Sequence, residues 1–119
     1  MDIEKCREIC ISLHPEIQET FPFDDVSLVM KIADKMFALL PLDTPDLISL
    51  KCDPERAIEL RERYCGIEPA FHFNKKYWNQ VWLRSDVPDS LIEELIIHSF
   101  QLVAAKLTRK QKDALKLTD

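Results

Sequence analysis

Residues 88–107, PDSLIEELIIHSFQLVAAKL, carry apolar side chains around most of a helical circumference, and this stretch limits the folds open to the rest of the chain. Leu91, Ile92, Leu95, Ile96, Ser99, Leu102 and Val103 recur at helical spacing, and Ile97, Phe100, Ala104 and Leu107 widen the stripe. Only Glu93, Glu94, His98 and Gln101 form a polar strip. A helix of this kind must be covered by more than one neighbour. One sheet face therefore accounts for part of the stripe. The flank of Ile97, Phe100 and Ala104 calls for either the short terminal segment or a second copy of the chain, and a homodimer through that flank is expected.

The sheet that such a helix needs is legible upstream. Leu28, Met30 and Ile32 alternate with Val29, Lys31 and Ala33, Asp34-Lys35 reads as a turn, and MFALL returns, predicting a hairpin with one buried face. LDTPD turns the chain again, and LISLKC (47–52) reads as a third strand, antiparallel because the connections are short. Before the hairpin, residues 2–14 have Ile3, Cys6, Cys10 and Leu13 at helical spacing, and Pro15 ends that helix. The acidic EIQETFPFDD that follows is expected to be an exposed connection.

Asp53-Pro54 is a helix start, a capping carboxylate followed by proline at the first helical position. Gly66 is expected to stop that helix in a left-handed conformation. Beyond it, 69–73 reads as extended, Asn74-Lys75-Lys76 as a turn, and Tyr77 or Trp78 to Arg84 as a strand. Trp78, Gln80 and Trp82 share one face of that strand, with Val81 and Leu83 directed to the core. After the long helix, Thr108 should cap a short basic one, RKQKDALK.

Function classes are narrowed by what the chain carries. Gly66 is the single glycine, so a phosphate-cradling glycine loop or dinucleotide turn is excluded. Four cysteines without a CxxC, behind an N-terminus that resembles no export signal, are expected as reduced thiols in a cytoplasmic protein. No apolar run reaches membrane-spanning length, so no membrane partner is expected. Cys6, Cys10 and His14 at i, i+4, i+8 could align three soft ligands, but no fourth is evident and no metal or cofactor is expected. No nucleophile–base pair is readable, so the chain is not expected to be an enzyme.

The net charge of −5 disfavours indiscriminate nucleic-acid binding. One stretch stands against that balance. PAFHFNKKYWNQVWLR (69–84) holds Phe71, Phe73, Tyr77, Trp78 and Trp82 with Lys75, Lys76 and Arg84, and contains no acid. Strand aromatics usually pack. The sharper alternative is a platform on which bases stack while lysines hold phosphate.

With this order of elements in place, the chain resembles the MmcQ/YjbR-like family. The matching pieces are KMFALL (35–40), LISLKCDPE (47–55), the spaced His72, Asn74, Lys75 and Trp78 with Val81 after them, and VPDSLIEELIIHSF (87–100). The resemblance covers about 28–117 and implies a two-layer α+β fold like that of frataxin (CyaY-like, double-wing), an antiparallel sheet with helices packed on one face. That family usually places glycine in the first hairpin turn, where this chain has Ala33-Asp34. The resemblance also implies DNA binding, and points to Lys51, His72, Asn74, Lys75 and Trp78 as the functional surface. Together with Arg56 and Lys76, these residues are expected to bind DNA or another anionic partner from a single domain spanning 1–119. Lys51, Arg56, Lys75 and Lys76 would meet phosphate, and His72, Asn74 and Trp78 would orient or stack. The alternative is a protein-interaction or assembly module working through the sheet and the apolar helix. Iron binding of the frataxin kind, for which the acidic first segment is a faint echo, is the third reading.

Overall fold

The computed structural model describes residues 1–117 except Pro45 and His72. The chain runs α1 (Ile3–Ser12), β1 (Gln18–Thr20), β2 (Ser27–Ile32), β3 (Lys35–Pro41), β4 (Leu47–Lys51), α2 (Pro54–Arg63), β5 (Ile67–Pro69), β6 (Trp78–Trp82), α3 (Asp89–Ala105) and α4 (Arg109–Leu115). The strands form one open antiparallel sheet, order β1-β2-β3-β4-β6-β5, with the helices packed on one face. This is the α+β, two-layer arrangement the long helix demanded.

Local chemistry explains most boundaries. The Asp2 carboxylate accepts from the Lys5 N–H at 2.8 Å and opens α1. Asp53 does the same for Arg56 at 3.2 Å, with Pro54 behind it. Thr108 and Gln111 form a reciprocal capping box on α4.

Four local expectations are corrected. The connection EIQETFPFDD contains an edge strand, β1, whose Gln18, Glu19 and Thr20 pair with Lys31, Met30 and Val29. The hairpin turn is Ala33-Asp34, not Asp34-Lys35. Both residues have positive φ, 48° and 64°, the geometry of a two-residue turn that matches strand twist, and Ile32 pairs with Lys35 across it. Strand β2 is buried on both faces, since Val29 is as inaccessible as Met30 and Ile32. Gly66 is not left-handed, and α2 ends at Tyr64 in extended geometry. Glycine is required there by close approach: a Cβ would lie 2.0 Å from Ser85 Oγ. The Cys65 and Gly66 N–H groups both donate to the Asp86 carboxylate at 2.8 Å.

The core lies between the sheet and α3, with α1 against the flank of α3. Phe37 meets Phe100 edge-on, ring centroids 5.4 Å apart, and Cys6, Cys10, Ile92 and Ile96 are fully enclosed. Leu115 and Leu117 pack onto the same core. Phe100 is buried, and no large apolar side chain of α3 is exposed among the described residues. Of the flank named for a dimer, Phe100 is enclosed within the chain, while Ile97 and Ala104 stay half-buried.

Ser99, polar in the middle of this apolar helix, serves the sheet. A register shift between β2 and β3 leaves Phe37 out of the regular pairing. The Ser99 hydroxyl donates to the Phe37 carbonyl at 2.5 Å and accepts from the Lys51 N–H at 2.9 Å, bridging β3 and β4.

Candidate functional site: the uncovered face of the sheet

Strand alternation sends Leu28, Leu40, Ile48 and Val81 toward the helices and the intervening residues outward. Val29, Leu39, Ser49, Gln80 and Glu68 fall in one row across β2, β3, β4, β6 and β5. Over the middle of this row lies a cavity of about 510 Å³ with Leu39, Ser49 and Gln80 as its floor. That volume is within the range of ligand pockets.

Two loops raise its walls. In the first, the Asp24 carboxylate accepts from the Val26 N–H (2.9 Å), the Ser27 N–H (2.7 Å) and the Ser27 hydroxyl (3.0 Å), fixing a tight turn with Phe23 and Val26 along the cavity. These backbone donors hold the Asp24 pKa below the usual carboxylate value. The second loop, between β5 and β6, contributes Phe71 and Phe73. Its turn is closed by the Asn74 carbonyl, which accepts from the Tyr77 and Trp78 N–H groups, and by Asn74 Oδ1, which accepts from the Lys76 N–H. From α2, Arg61 donates to Asn79 Oδ1 at 2.6 Å and to the carbonyls of Lys75 and Trp78, clamping the loop from beneath.

The residues singled out for anion binding are engaged in different ways. Lys75 lies over the Phe71 ring (5.3 Å) and Lys76 over the Tyr77 ring (5.5 Å), both exposed. Trp78 is buried and stacks on Phe73 at 4.8 Å, so one ring face is already occupied. Arg56 is paired with Glu94 of α3 at 2.7 Å, and Arg84 with Asp46 at 3.2 Å. Lys51, half-buried at the end of β4 opposite Trp78, has its pKa pushed down by burial and by Lys106. His72 lies outside the described residues. Asn74 acts as a turn-former.

Three of the four thiols are buried. Burial pushes Cys6 and Cys10 up to about 12 and Cys52 up to about 11, while Cys65 is exposed. His14 is held by backbone, Nδ1 accepting from the Glu16 N–H at 3.0 Å and Nε2 meeting the Leu115 carbonyl at 2.8 Å. Among the described residues, no three His, Cys, Asp or Glu side chains gather as a metal site. No helix among them is long and apolar enough to cross a membrane.

Sequence reasoning missed the cavity residues Phe23, Leu39, Ser49 and Phe71 as a group. The available signals were two phenylalanines in an acidic connection and a serine at the centre of LISLK.

The YjbR family profile matches residues 13–102. The chain belongs to the YjbR family. Relatives of this YjbR-family chain include the Escherichia coli O157:H7 protein YbdF, 30% identical over 92% of this chain and 89% of that one. YjbR of Escherichia coli K12 is 28% identical over 97% of this chain and 98% of its own length. A crystal structure of a Deinococcus radiodurans protein with the DUF419 domain superposes with a TM-score of 0.88 at 39% identity, covering 98% and 89% of the two chains. The family frame thus runs through the cavity-bearing sheet.

Proposed function

We propose that this YjbR-family chain is a non-catalytic binding module that holds a protein partner on the uncovered sheet face. The observation that carries this reading is the placement of exposed apolar surface. Among the described residues, all the large exposed apolar side chains except Ile11 and Ile58 belong to that face or its bordering loops. They are Phe21, Phe23, Val26, Leu42, Phe71 and Trp82. Contiguous apolar surface beside a concavity is the mark of an interaction site. Among the described residues, the cavity lining includes Asp24 and Asp43 and no lysine, arginine or histidine, which disfavours a polyanion there. Its hydroxyls, on Ser27, Thr44 and Ser49, have no described histidine, cysteine or lysine in the lining to activate them.

The test is the size of the assembly in extracts of cells expressing the tagged chain, treated with nuclease. Wild type should elute in a nuclease-resistant assembly. Phe23→Glu with Phe71→Glu should release the free chain, and Lys75→Glu with Lys76→Glu should not. Elution of wild type as the free chain would contradict the proposal.

DNA binding is the second reading. It is supported by Lys75 and Lys76, exposed in the acid-free loop with no ion pair among the described residues.

A further inference from the structure

Resting on that reading, the chemistry of the cavity narrows what the partner brings to it. The floor has unused hydrogen-bonding capacity. Ser49 is only 7% exposed, and its hydroxyl makes no hydrogen bond among the described residues. No fully enclosed side-chain oxygen or nitrogen among them lacks a partner, so this hydroxyl opens into the cavity. Beside it in register, Gln80 gives its amide N–H to Glu68 at 2.6 Å, and its carbonyl oxygen takes no described donor. A buried, unused hydroxyl next to a free amide oxygen favours a ligand with one polar atom at its deep end.

The walls and mouth add two further constraints. Phe23, Phe71 and Phe73 offer aromatic faces and edges to a flat apolar body. Asp24 and Asp43 put negative charge at the end formed by the first loop and the β3–β4 turn. Lys75 sits over the Phe71 ring and is not part of the lining. Phe23 and Phe71 are 62% and 59% exposed, so their apolar surface continues beyond the cavity. A ligand confined to the cavity would leave that surface wet, whereas a protein segment crossing it would cover both.

We infer that the cavity seats one aromatic side chain with a hydrogen-bonding atom, tyrosine or tryptophan, from a partner segment whose adjoining residues are lysine or arginine. Such anchors in pockets carry much of the affinity of protein interfaces. The acidic end selects the flanking charge.

Three N-acetylated, C-amidated peptides test this on the full chain by amide NMR titration: Trp-Lys-Lys, Trp-Glu-Glu and Ala-Lys-Lys, with free indole as a fourth probe. Trp-Lys-Lys should shift the Ser49 and Gln80 amides and bind about tenfold or more tighter than the other two peptides. Phe71→Ala, at a position 59% exposed, should weaken it about tenfold. Asp43→Asn should narrow the gap between Trp-Lys-Lys and Trp-Glu-Glu severalfold. Equal binding of Trp-Lys-Lys and Ala-Lys-Lys, or shifts confined to the 74–77 turn, would overturn the inference. Indole binding as tightly as Trp-Lys-Lys would overturn it in favour of a small-molecule site. If these fail while the nuclease-resistant assembly still depends on Phe23 and Phe71, the anchor is wrong and the module reading stands. If the peptide series succeeds and no assembly is found, the cavity's preference for a basic-flanked aromatic stands and its source in a protein partner fails.

Discussion

Arg61 Nε donates to Asn79 Oδ1 at 2.6 Å, tying α2 to the strand beneath the aromatic loop. Asn79 is buried, and its amide nitrogen also reaches the Ala57 carbonyl at 3.4 Å. Arg61→Ala leaves the Asn79 oxygen unsatisfied and removes the clamp on the Lys75 and Trp78 carbonyls. A loss of about 1–3 kcal/mol in denaturant unfolding is expected. Faster amide exchange through 73–78 should accompany it, and unchanged exchange there would mean the loop holds itself.

Ser99→Ala tests the bridge between β3 and β4. It orphans the Phe37 carbonyl and the Lys51 N–H without changing the apolar packing of α3. The expected cost is about 1–3 kcal/mol, with Lys51 amide protection falling more than that of its neighbours. Equal protection in both proteins would show that another group closes the gap.

These two residues mark the limit of what was legible in the sequence. The long helix, the Asp53-Pro54 start, the Thr108 cap and the central strands follow from short-range patterns. Ser99 acts through partners 62 and 48 residues away, Arg61 through Asn79, 18 residues on, and Gly66 packs against the distant Ser85; no local pattern encodes such contacts. Three-residue β1 is too short to alternate and exists because β2 offers it a partner. At the site, the turn at 74–76 and a strand starting at Trp78 match the sequence reading. The expected extended run over 69–73 stops at Pro69, beyond which the Phe73 N–H donates back to the Ala70 carbonyl at 3.2 Å, and the strand ends at Trp82, short of Arg84. Phe73 packs on Trp78 instead of leaving it as a stacking platform, and the cavity draws part of its wall from the distant Phe23 loop.

His98 makes stability depend on pH. Its Nε2 accepts from the Asp53 N–H at 3.3 Å, which requires the neutral ring. Burial, then Arg56, pushes its pKa below the ordinary value, with Asp53 and Glu94 opposing. The folded value lies below the unfolded one of about 6.5. The contribution is therefore fully present above that pH and is lost as pH falls through the folded value. Denaturation midpoints between pH 7.5 and 5 should fall more for wild type than for His98→Gln; parallel curves would remove His98 as the cause.

The DNA reading makes its own prediction. Lys75→Glu with Lys76→Glu should weaken duplex DNA binding and reduce its salt slope by about two. Identical salt titrations for wild type and variant would set that reading aside.

The central claim is that the uncovered sheet face meets a protein. A photoreactive benzoylphenylalanine in place of Phe71, compared with the same group in place of exposed Ile58 on α2, tests it most directly. Irradiation in cells should yield a discrete, protease-sensitive and nuclease-resistant adduct from position 71 and none from position 58. An adduct at position 71 that nuclease removes, or equal smears from both positions, would contradict the account.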